Sequence, residues 1–150
     1  MLVSVNQLLE YKNYPLLSRY KKDYPHNKLN AEEAFAELMK FLWVREKHKE
    51  DILSYPENEE LKFSCAIYTE MLDMDDMWHT FLLFTKDYMD FCYQYFGEYL
   101  HHTPALEDEY IQENEFTVEF SRYLSYIYDN LGEKTIIKWF GKLLEDVDLA

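Results

Sequence analysis

Residues 29–51, LNAEEAFAELMKFLWVREKHKED, carry the clearest helical pattern in the chain. Asn30 belongs to the residue types that cap helix N-termini, and Glu32 and Glu33 fall in the first turn, where the helix dipole favours acidic side chains. Basic residues gather at the far end. Apolar side chains recur at three- and four-residue spacing, at Phe35, Leu38, Met39 and Leu42. The stretch therefore predicts a long amphipathic helix whose apolar face meets a core.

The rest of the chain also favours helices. Three glycines and four prolines in 150 residues leave little material for the tight turns of a β-sandwich or barrel. Alternation with a period of two residues is nowhere sustained, and neither a fixed repeat nor a low-complexity linker divides the sequence. We predict an all-α fold, a compact single-domain bundle of about five to seven helices over residues 1–150.

Helix boundaries follow from caps and breakers on either side of residues 29–51. A short helix is predicted within residues 3–11, and a second begins near Pro15 and ends near Pro25. After a loop at residues 54–60, one helical pattern runs from Glu59 through Phe84, with a stripe of Leu61, Cys65, Tyr68 and Leu72. Thr85 is predicted to cap a new helix that Gly97 ends.

Two further helices are predicted after Pro104. The first has an apolar stripe of Tyr110, Phe116, Phe120, Tyr123, Leu124, Ile127 and Tyr128 and stops at Asn130 and Gly132. The second points Ile136, Ile137, Phe140 and Leu144 inward.

The charge balance limits the classes of partner. A formal net charge of −14, from 29 acidic and 15 basic residues, repels nucleic-acid backbones and anionic membrane surfaces. Two short basic groups, Arg19/Lys21/Lys22 and Arg45/Lys47/His48/Lys49, are interpreted as solvated helix faces. We expect no nucleic acid and no membrane as partner, and a protein partner would present a basic surface.

The cysteines and the N-terminus favour the cytoplasm. Cys65 and Cys92 are interpreted as reduced thiols and not as members of a disulfide framework, and Cys65 is interpreted as structural. No signal-peptide pattern opens the sequence, and no apolar run reaches the length of a membrane span.

A candidate metal site begins at Asp75 and His79, which lie about 40° apart on a helix, so that the carboxylate can orient the imidazole. Asp76 could replace Asp75. Cys92 and the pair His101/His102 supply further ligands, and an Asp/His/Cys/His set suits zinc or another divalent transition metal. On one straight helix, however, His79 and Cys92 would lie about 220° apart. A shared site therefore requires a break near Thr85.

A structural alternative explains the same residues. Trp78 and Phe81 would pack in the core, His79 would bond Asp75, and Cys92 would act as a small buried hydrophobe. The two histidines at 101 and 102 would cap the helix that ends near Gly97. His26 and His48 are assigned no role. Motifs for nucleophilic catalysis or phosphate binding, such as G-x-S-x-G, the P-loop and H-E-x-x-H, are absent from the sequence.

Residues 75–104, DDMWHTFLLFTKDYMDFCYQYFGEYLHHTP, resemble the signature of the glycine-rich domain-containing protein-like family. That family shows an Asp three residues before Trp-His, then Thr, Tyr, Phe-Cys, Gly and a His two residues before Pro. The matching positions are Asp75, Trp78, His79, Thr85, Tyr88, Phe91, Cys92, Gly97, His102 and Pro104. FLWV upstream and YLSYIYDNLGEKTIIKWF downstream also fit.

The resemblance implies a short stand-alone domain of the bacterial type, without the glycine-rich tail of plant members, and it names no reaction. Some members have a second histidine where this chain has Phe81, which argues against a metal site that needs both. The resemblance strengthens the assignment of a site to Asp75, His79, Cys92 and His102, with Trp78, Tyr88 and His101 as lining candidates.

Two functions remain open, and neither the activity nor the oligomeric state can be deduced from the residues alone. The first is a small acidic cytoplasmic helical domain that acts as a protein-interaction or ligand-binding module. The second is a metal-binding protein or metal-dependent hydrolase that uses the Asp/His/Cys/His cluster.

Overall fold

The computed structural model of the protein describes residues 2–102 and 118–145. In these residues the chain forms seven α-helices and no strand, so the predicted all-α class is confirmed. The helices are α1 (Val5–Leu9), α2 (Tyr14–Asp23), α3 (Ala31–Ser54), α4 (Leu72–Leu83), α5 (Thr85–Phe96), α6 (Val118–Leu131) and α7 (Glu133–Glu145). Short 3-10 turns cover Glu59–Leu61 and Thr69–Met71.

The chain forms two compact units. The described part of the first comprises residues 2–43 and 72–102, and that of the second comprises residues 44–71 and 118–145. Helix α3 contributes its N-terminal half to the first unit and its C-terminal half to the second. That residues 1–150 form a single domain stays a prediction.

Local signals explain where the first helices begin. Ser4 and Gln7 form a reciprocal capping box at α1, and the Asn13 side chain accepts the backbone N–H of Leu16 at the start of α2. Asn30 caps α3 as predicted, because its side-chain oxygen accepts the N–H of Glu33 at 2.8 Å. Phe35, Leu38, Met39 and Leu42 are buried along α3, which confirms its predicted core face.

The first unit has an aromatic core between α3, α4 and α5. Phe81 of α4 and Phe91 of α5 are fully buried, and their ring centroids lie 5.1 Å apart. Tyr11 packs against both rings and against Phe35. Helix α4 packs on α2 and α5. Aromatic side chains of α3, α4 and α5 are therefore removed from water together in the core of the first unit.

The predicted break between α4 and α5 is confirmed. Phe84 is the N-cap of α5 and makes no side-chain capping bond, while Thr85 is the first helical residue. The prediction that Thr85 is the cap was therefore wrong, although the break lies one residue away. Gly97 ends α5 with φ of 73°, in the left-handed region that glycine adopts without strain, as predicted.

The predicted helix from Glu59 to Phe84 was wrong, because α4 begins only at Leu72. Between the 3-10 turns the chain is irregular, and it buries Phe63 and Tyr68 in the second unit. These two residues would lie about 140° apart on a helix, whereas the irregular segment lets both rings pack on Tyr123, with centroids 5.7 and 5.8 Å away. Leu72, the last member of the predicted stripe, is 42% exposed.

Side chains replace the helical hydrogen bonds that this segment lacks. The Tyr123 hydroxyl donates to the carbonyl of Ala66 at 2.9 Å, and the N–H of Ser64 donates to Glu119 at 3.0 Å. His48 bonds the carbonyl of Leu61 at 2.9 Å. The bonds to the Leu61 and Ala66 carbonyls satisfy backbone groups that would be costly to bury unpaired, whereas the bond of the exposed Ser64 fixes the course of the chain.

His48 was wrongly assigned to a solvated helix face. Its side chain is 5% exposed, and its ring stacks on Phe63 with centroids 4.1 Å apart. Arg45 and Lys47 are half-buried, and only Lys49 of that basic group is exposed.

Helices α6 and α7 pack against each other and complete the core of the second unit. Phe120, Tyr123 and Ile127 are buried as predicted, whereas Tyr128 is 57% exposed. Phe140 is buried, but Ile137 is 56% exposed, because α7 turns Trp139 inward instead. The predicted positions Tyr110 and Phe116 lie outside the described residues, as does the side chain of Leu144. Within residues 2–102 and 118–145, no helix combines the length and apolar character that crossing a bilayer requires.

Candidate metal centre

Helix α4 and the segment after α5 bring three potential metal ligands together in the first unit. Asp75 and His79 stand one turn apart on α4. Helix α5 ends at Gly97, and the following residues lead back so that the His102 ring reaches Asp75. The potential ligand atoms of Asp75, His79 and His102 all lie within 4.8 Å of one another. Among the described residues, these three form the group of His, Cys, Asp or Glu side chains that lie close enough together to hold one metal ion.

Asp75 lies between the two imidazoles. Its Oδ1 is 2.7 Å from Nε2 of His102, and its Oδ2 is 3.5 Å from Nε2 of His79. The two histidine rings have centroids 4.7 Å apart. Both Nε2 atoms therefore face the same carboxylate, one on each of its oxygens.

The cluster is shielded on one side and open on the other. The side chain of His102 is 7% exposed and that of Asp75 is 17% exposed, whereas that of His79 is 47% exposed. An ion or a small ligand would therefore approach from the His79 side. Partial burial weakens competition from water for the ligand atoms.

Trp78 and Tyr88 hold the shielded side in place. The Trp78 ring lies 4.2 Å from the His102 ring, and its Nε1 donates to the Tyr88 hydroxyl at 3.0 Å. That hydroxyl in turn donates to the carbonyl of Leu100, two residues before His102. Burial raises the pKa of Tyr88, so the hydroxyl keeps the proton that it donates. These contacts fix the backbone that carries His102.

Two neighbouring aspartates secure α4 rather than join the cluster. Asp76 accepts a bond from Asn27 at 3.0 Å, and Asp73 accepts the N–H of Leu29 at 2.9 Å. Asp76 thus does not replace Asp75. Burial raises the pKa of the Asp76 carboxyl, the bond from Asn27 opposes that rise, and the charges of Asp75 and Asp73 add to it.

Cys92 and His101 are not brought into the cluster. Cys92 is fully buried on α5, one turn from Tyr88 and within hydrogen-bonding reach of its hydroxyl. Its side chain belongs to the face of α5 that packs into the core. His101 is exposed and lies against Tyr99, with ring centroids 4.8 Å apart. Three of the four predicted ligands therefore meet, and Trp78 and Tyr88 support them.

Residues that bind the cluster to its surroundings were missed from the sequence. Asn27 and Leu29 lie 49 and 44 residues before the aspartates that they bond, and neither is part of a recognisable motif. The link from Tyr88 to the Leu100 carbonyl was also missed, because no local pattern shows which carbonyl a buried hydroxyl will reach.

The fold and the cluster define an all-α protein with two imidazoles and a carboxylate grouped beside a buried tryptophan. The chain matches the UCP032817-like family over residues 6–121 of its 150, and it belongs to that family. The family name states no activity, which agrees with the sequence-based conclusion that no specific function can be assigned. No curated protein and no solved structure matches the chain.

Proposed function

We propose that the protein binds a divalent transition-metal ion through Asp75, His79 and His102. The observation that carries the proposal is the approach of one carboxylate and two imidazole nitrogens to within 4.8 Å of one another. Two histidines and one carboxylate are a ligand set for zinc or iron(II). Cys92, which was predicted as a fourth ligand, is left out because it lies in the core.

The distances suit a metal with little rearrangement. Two ligands at the usual bond length of a tetrahedral zinc lie about 3.3 Å from each other. The two contacts of Asp75, 2.7 Å from Oδ1 to His102 and 3.5 Å from Oδ2 to His79, lie on either side of that value but use different oxygens of the carboxylate. A rotation of the Asp75 carboxylate or of the partly exposed His79 side chain would bring the three ligand atoms around one ion.

Three protein ligands leave a coordination position for water or substrate, as in catalytic rather than closed structural zinc sites. The openness of the cluster on the His79 side supports the same interpretation. A metal-dependent hydrolase is therefore the reaction class that we propose to test first.

Metal analysis of the purified protein tests the proposal. We expect about one zinc, iron or cobalt ion per chain after loading and desalting. His79→Ala and Asp75→Asn should each abolish this retention, because the remaining two ligands bind weakly. The matched control is His101→Ala, which removes an exposed imidazole outside the cluster and should retain the metal.

A spectroscopic measurement distinguishes metal bound at the cluster from metal bound elsewhere on the protein. Cobalt(II) bound by two histidines and a carboxylate has visible absorption that His79→Ala should remove and His101→Ala should preserve. A wild-type protein that retains no metal and whose melting temperature ignores added zinc would overturn the proposal. Equal retention by wild type and His79→Ala would overturn it as well.

We propose protein interaction in the cytoplasm as a second function, with a basic partner. The exposed side chains of Met89 and Tyr93 support it, because they lie one turn apart on α5 beside Asp90. Asp90 pairs with the exposed Lys86 at 2.9 Å, and a basic group of the partner would take the place of Lys86. Such a surface can receive apolar and basic groups together. Binding of a basic peptide that Met89→Ser/Tyr93→Ser weakens, and that Tyr14→Ser leaves unchanged, would support this function.

We also propose that the chain is related to the glycine-rich domain-containing protein-like family. It depends on the positions from Asp75 to Pro104 in the sequence, of which Asp75, Trp78, His79 and Tyr88 take part in the candidate centre or its support. An alignment of members in which Asp75, His79 and His102 vary together would link that signature to the metal site.

A further inference from the structure

A cavity of about 380 Å³ lies within the second unit, between the C-terminal half of α3, the loop that follows it and the outer face of α6. This volume is in the range of small-ligand pockets. Its lining is rich in charged and polar side chains, and it shares no residue with the metal-centre candidate. The cavity is therefore an independent site.

One cation and one anion of the lining neutralise each other. Lys47 Nζ lies 2.7 Å from both carboxylate oxygens of Asp51, and the Tyr126 hydroxyl donates to the same carboxylate at 2.6 Å. Lys47, Asp51 and Tyr126 thus hold one another in place and form one polar wall of the cavity. It leaves the recognition of a charged ligand to the other lining residues.

Arg122 is the cation of the lining that makes no ion pair within 4.0 Å with a carboxylate of the described residues. The chain has three arginines, and Arg19 and Arg45 each lie within 4.0 Å of a carboxylate. Among the described residues, the half-buried guanidinium of Arg122 donates to the carbonyl of Lys62 at 3.4 Å, and its charge contributes to lowering the pKa of the exposed Glu59 carboxyl, behind the larger effect of Lys62. A guanidinium has five N–H donors in a planar fork that matches a carboxylate. Most of this donor capacity is open to a ligand.

Asp129 supplies the opposite charge at the other end of the cavity. It follows Arg122 by seven residues on α6, so the two side chains share one side of the helix and are about 10 Å apart along its axis. The carboxylates of Asp129 and Glu60 have no hydrogen-bond or ion-pair partner among the described residues. They can attract an ammonium group.

We propose that this cavity binds a small molecule with a carboxylate at one end and a cationic group at the other, a basic amino acid or a short peptide. Arg122 receives the carboxylate, and Asp129 receives the cation. The lining has three acidic residues against two basic ones, so a doubly charged phosphate is disfavoured. A neutral amino acid such as glycine has its charges too close together to reach both residues.

Calorimetric titration of the full chain at physiological ionic strength tests the proposal, with L-lysine and triglycine as probes. Glycine and inorganic phosphate are the negative probes. We expect saturable binding of L-lysine, of triglycine or of both, and the preferred probe tells a free amino acid from a peptide. Arg122→Gln should weaken that binding at least about tenfold, because a charge-assisted bond is lost.

The matched control is Lys134→Gln, which removes the same charge from an exposed site on α7. It should leave the affinity within a factor of about two. If Arg122→Gln loses its helical circular dichroism, Asp129→Asn replaces it, since it weakens the opposite contact. The proposal is overturned if neither probe saturates in the millimolar range, if glycine or phosphate binds as tightly as L-lysine, or if Arg122→Gln and Lys134→Gln have equal effects.

Discussion

Nε2 of His102 lies 2.7 Å from Oδ1 of Asp75, although 27 residues separate them in the sequence. The contact depends on the end of α5 at Gly97 and on the bond between Tyr88 and the Leu100 carbonyl. It joins the segment after α5 to α4. The metal-centre candidate therefore depends on the backbone of a short segment as much as on its own three side chains.

Tyr88→Phe tests the support of His102. The change removes the hydroxyl that accepts from Trp78 Nε1 and donates to the Leu100 carbonyl, while the aromatic ring remains. We expect a loss of about 1–3 kcal/mol in the free energy of unfolding, because Leu100 is buried and its carbonyl loses this donor. Urea denaturation measures it.

Tyr93→Phe is the control for Tyr88→Phe, since Tyr93 lies on the same helix but is 57% exposed. It should change stability by less than about 0.5 kcal/mol. Equal stability of the two variants would show that the hydroxyl of Tyr88 contributes nothing to the fold.

Gly97→Ala tests the backbone at the end of α5. A Cβ atom here meets nothing within 4 Å, so the cost arises from the φ of 73° and not from a clash. We expect a destabilisation of about 1–2 kcal/mol in thermal or urea unfolding.

Gly141→Ala is the matched comparison, because Gly141 lies inside α7 and its added Cβ would make an ordinary contact with Ile137 at 3.6 Å. Alanine is the better helix former there, so we expect a gain of up to about 1 kcal/mol. Effects of the same sign in both variants would contradict the conformational explanation.

His48→Leu tests the buried histidine of the second unit. Its Nε2 lies 2.9 Å from the Leu61 carbonyl, so this nitrogen donates the proton of the bond. Leucine keeps an apolar side chain at the site but removes the donor and the stacking on Phe63. The free energy of unfolding should fall by about 1–3 kcal/mol. His26→Leu, at an exposed position, should have little effect in the same urea titration.

Asp51→Asn tests a dependence of stability on pH. Burial alone would raise the pKa of Asp51, but bonds from Lys47 and Tyr126 and the charges of Lys47 and His48 outweigh it and lower the pKa. A carboxyl whose pKa is lower in the folded state stabilises the protein above its unfolded pKa, and loses that contribution as pH falls through the folded value.

The difference in unfolding free energy between wild type and Asp51→Asn should therefore be largest near neutral pH. It should shrink at pH values below about 4, the ordinary pKa of an aspartate. Urea titrations at several pH values between these limits measure it. A difference that stays constant over that range, or grows toward acid, would contradict the lowered pKa.

Local signals in the sequence were enough to predict much of the fold. The Asn30 cap, the core face of α3, the break near Thr85 and the end of α5 at Gly97 all depend on residues within one or two turns. The course of residues 62–68 could not be predicted in this way. Their helical pattern is overridden by contacts with α6, such as that of Tyr123 with Ala66, 57 residues apart.

The candidate site, too, was predicted only where its contacts are local in the sequence. Asp75 and His79 are one turn apart, so their meeting was predicted from helix geometry. Whether Cys92 or His102 joins them depends on the rotation of α5 about its axis, which packing of Phe91 and Tyr88 into the core decides. That rotation directs Cys92 inward and leaves His102, on the returning segment, to reach Asp75.

The return of the chain between Gly97 and His102 takes only five residues, and Tyr88 and Asp75 each anchor it. The conformational entropy of this small loop is lost when the protein folds, not when an ion arrives. An ion captured there would meet ligands already held in place, so its release would leave that corner of the fold ordered.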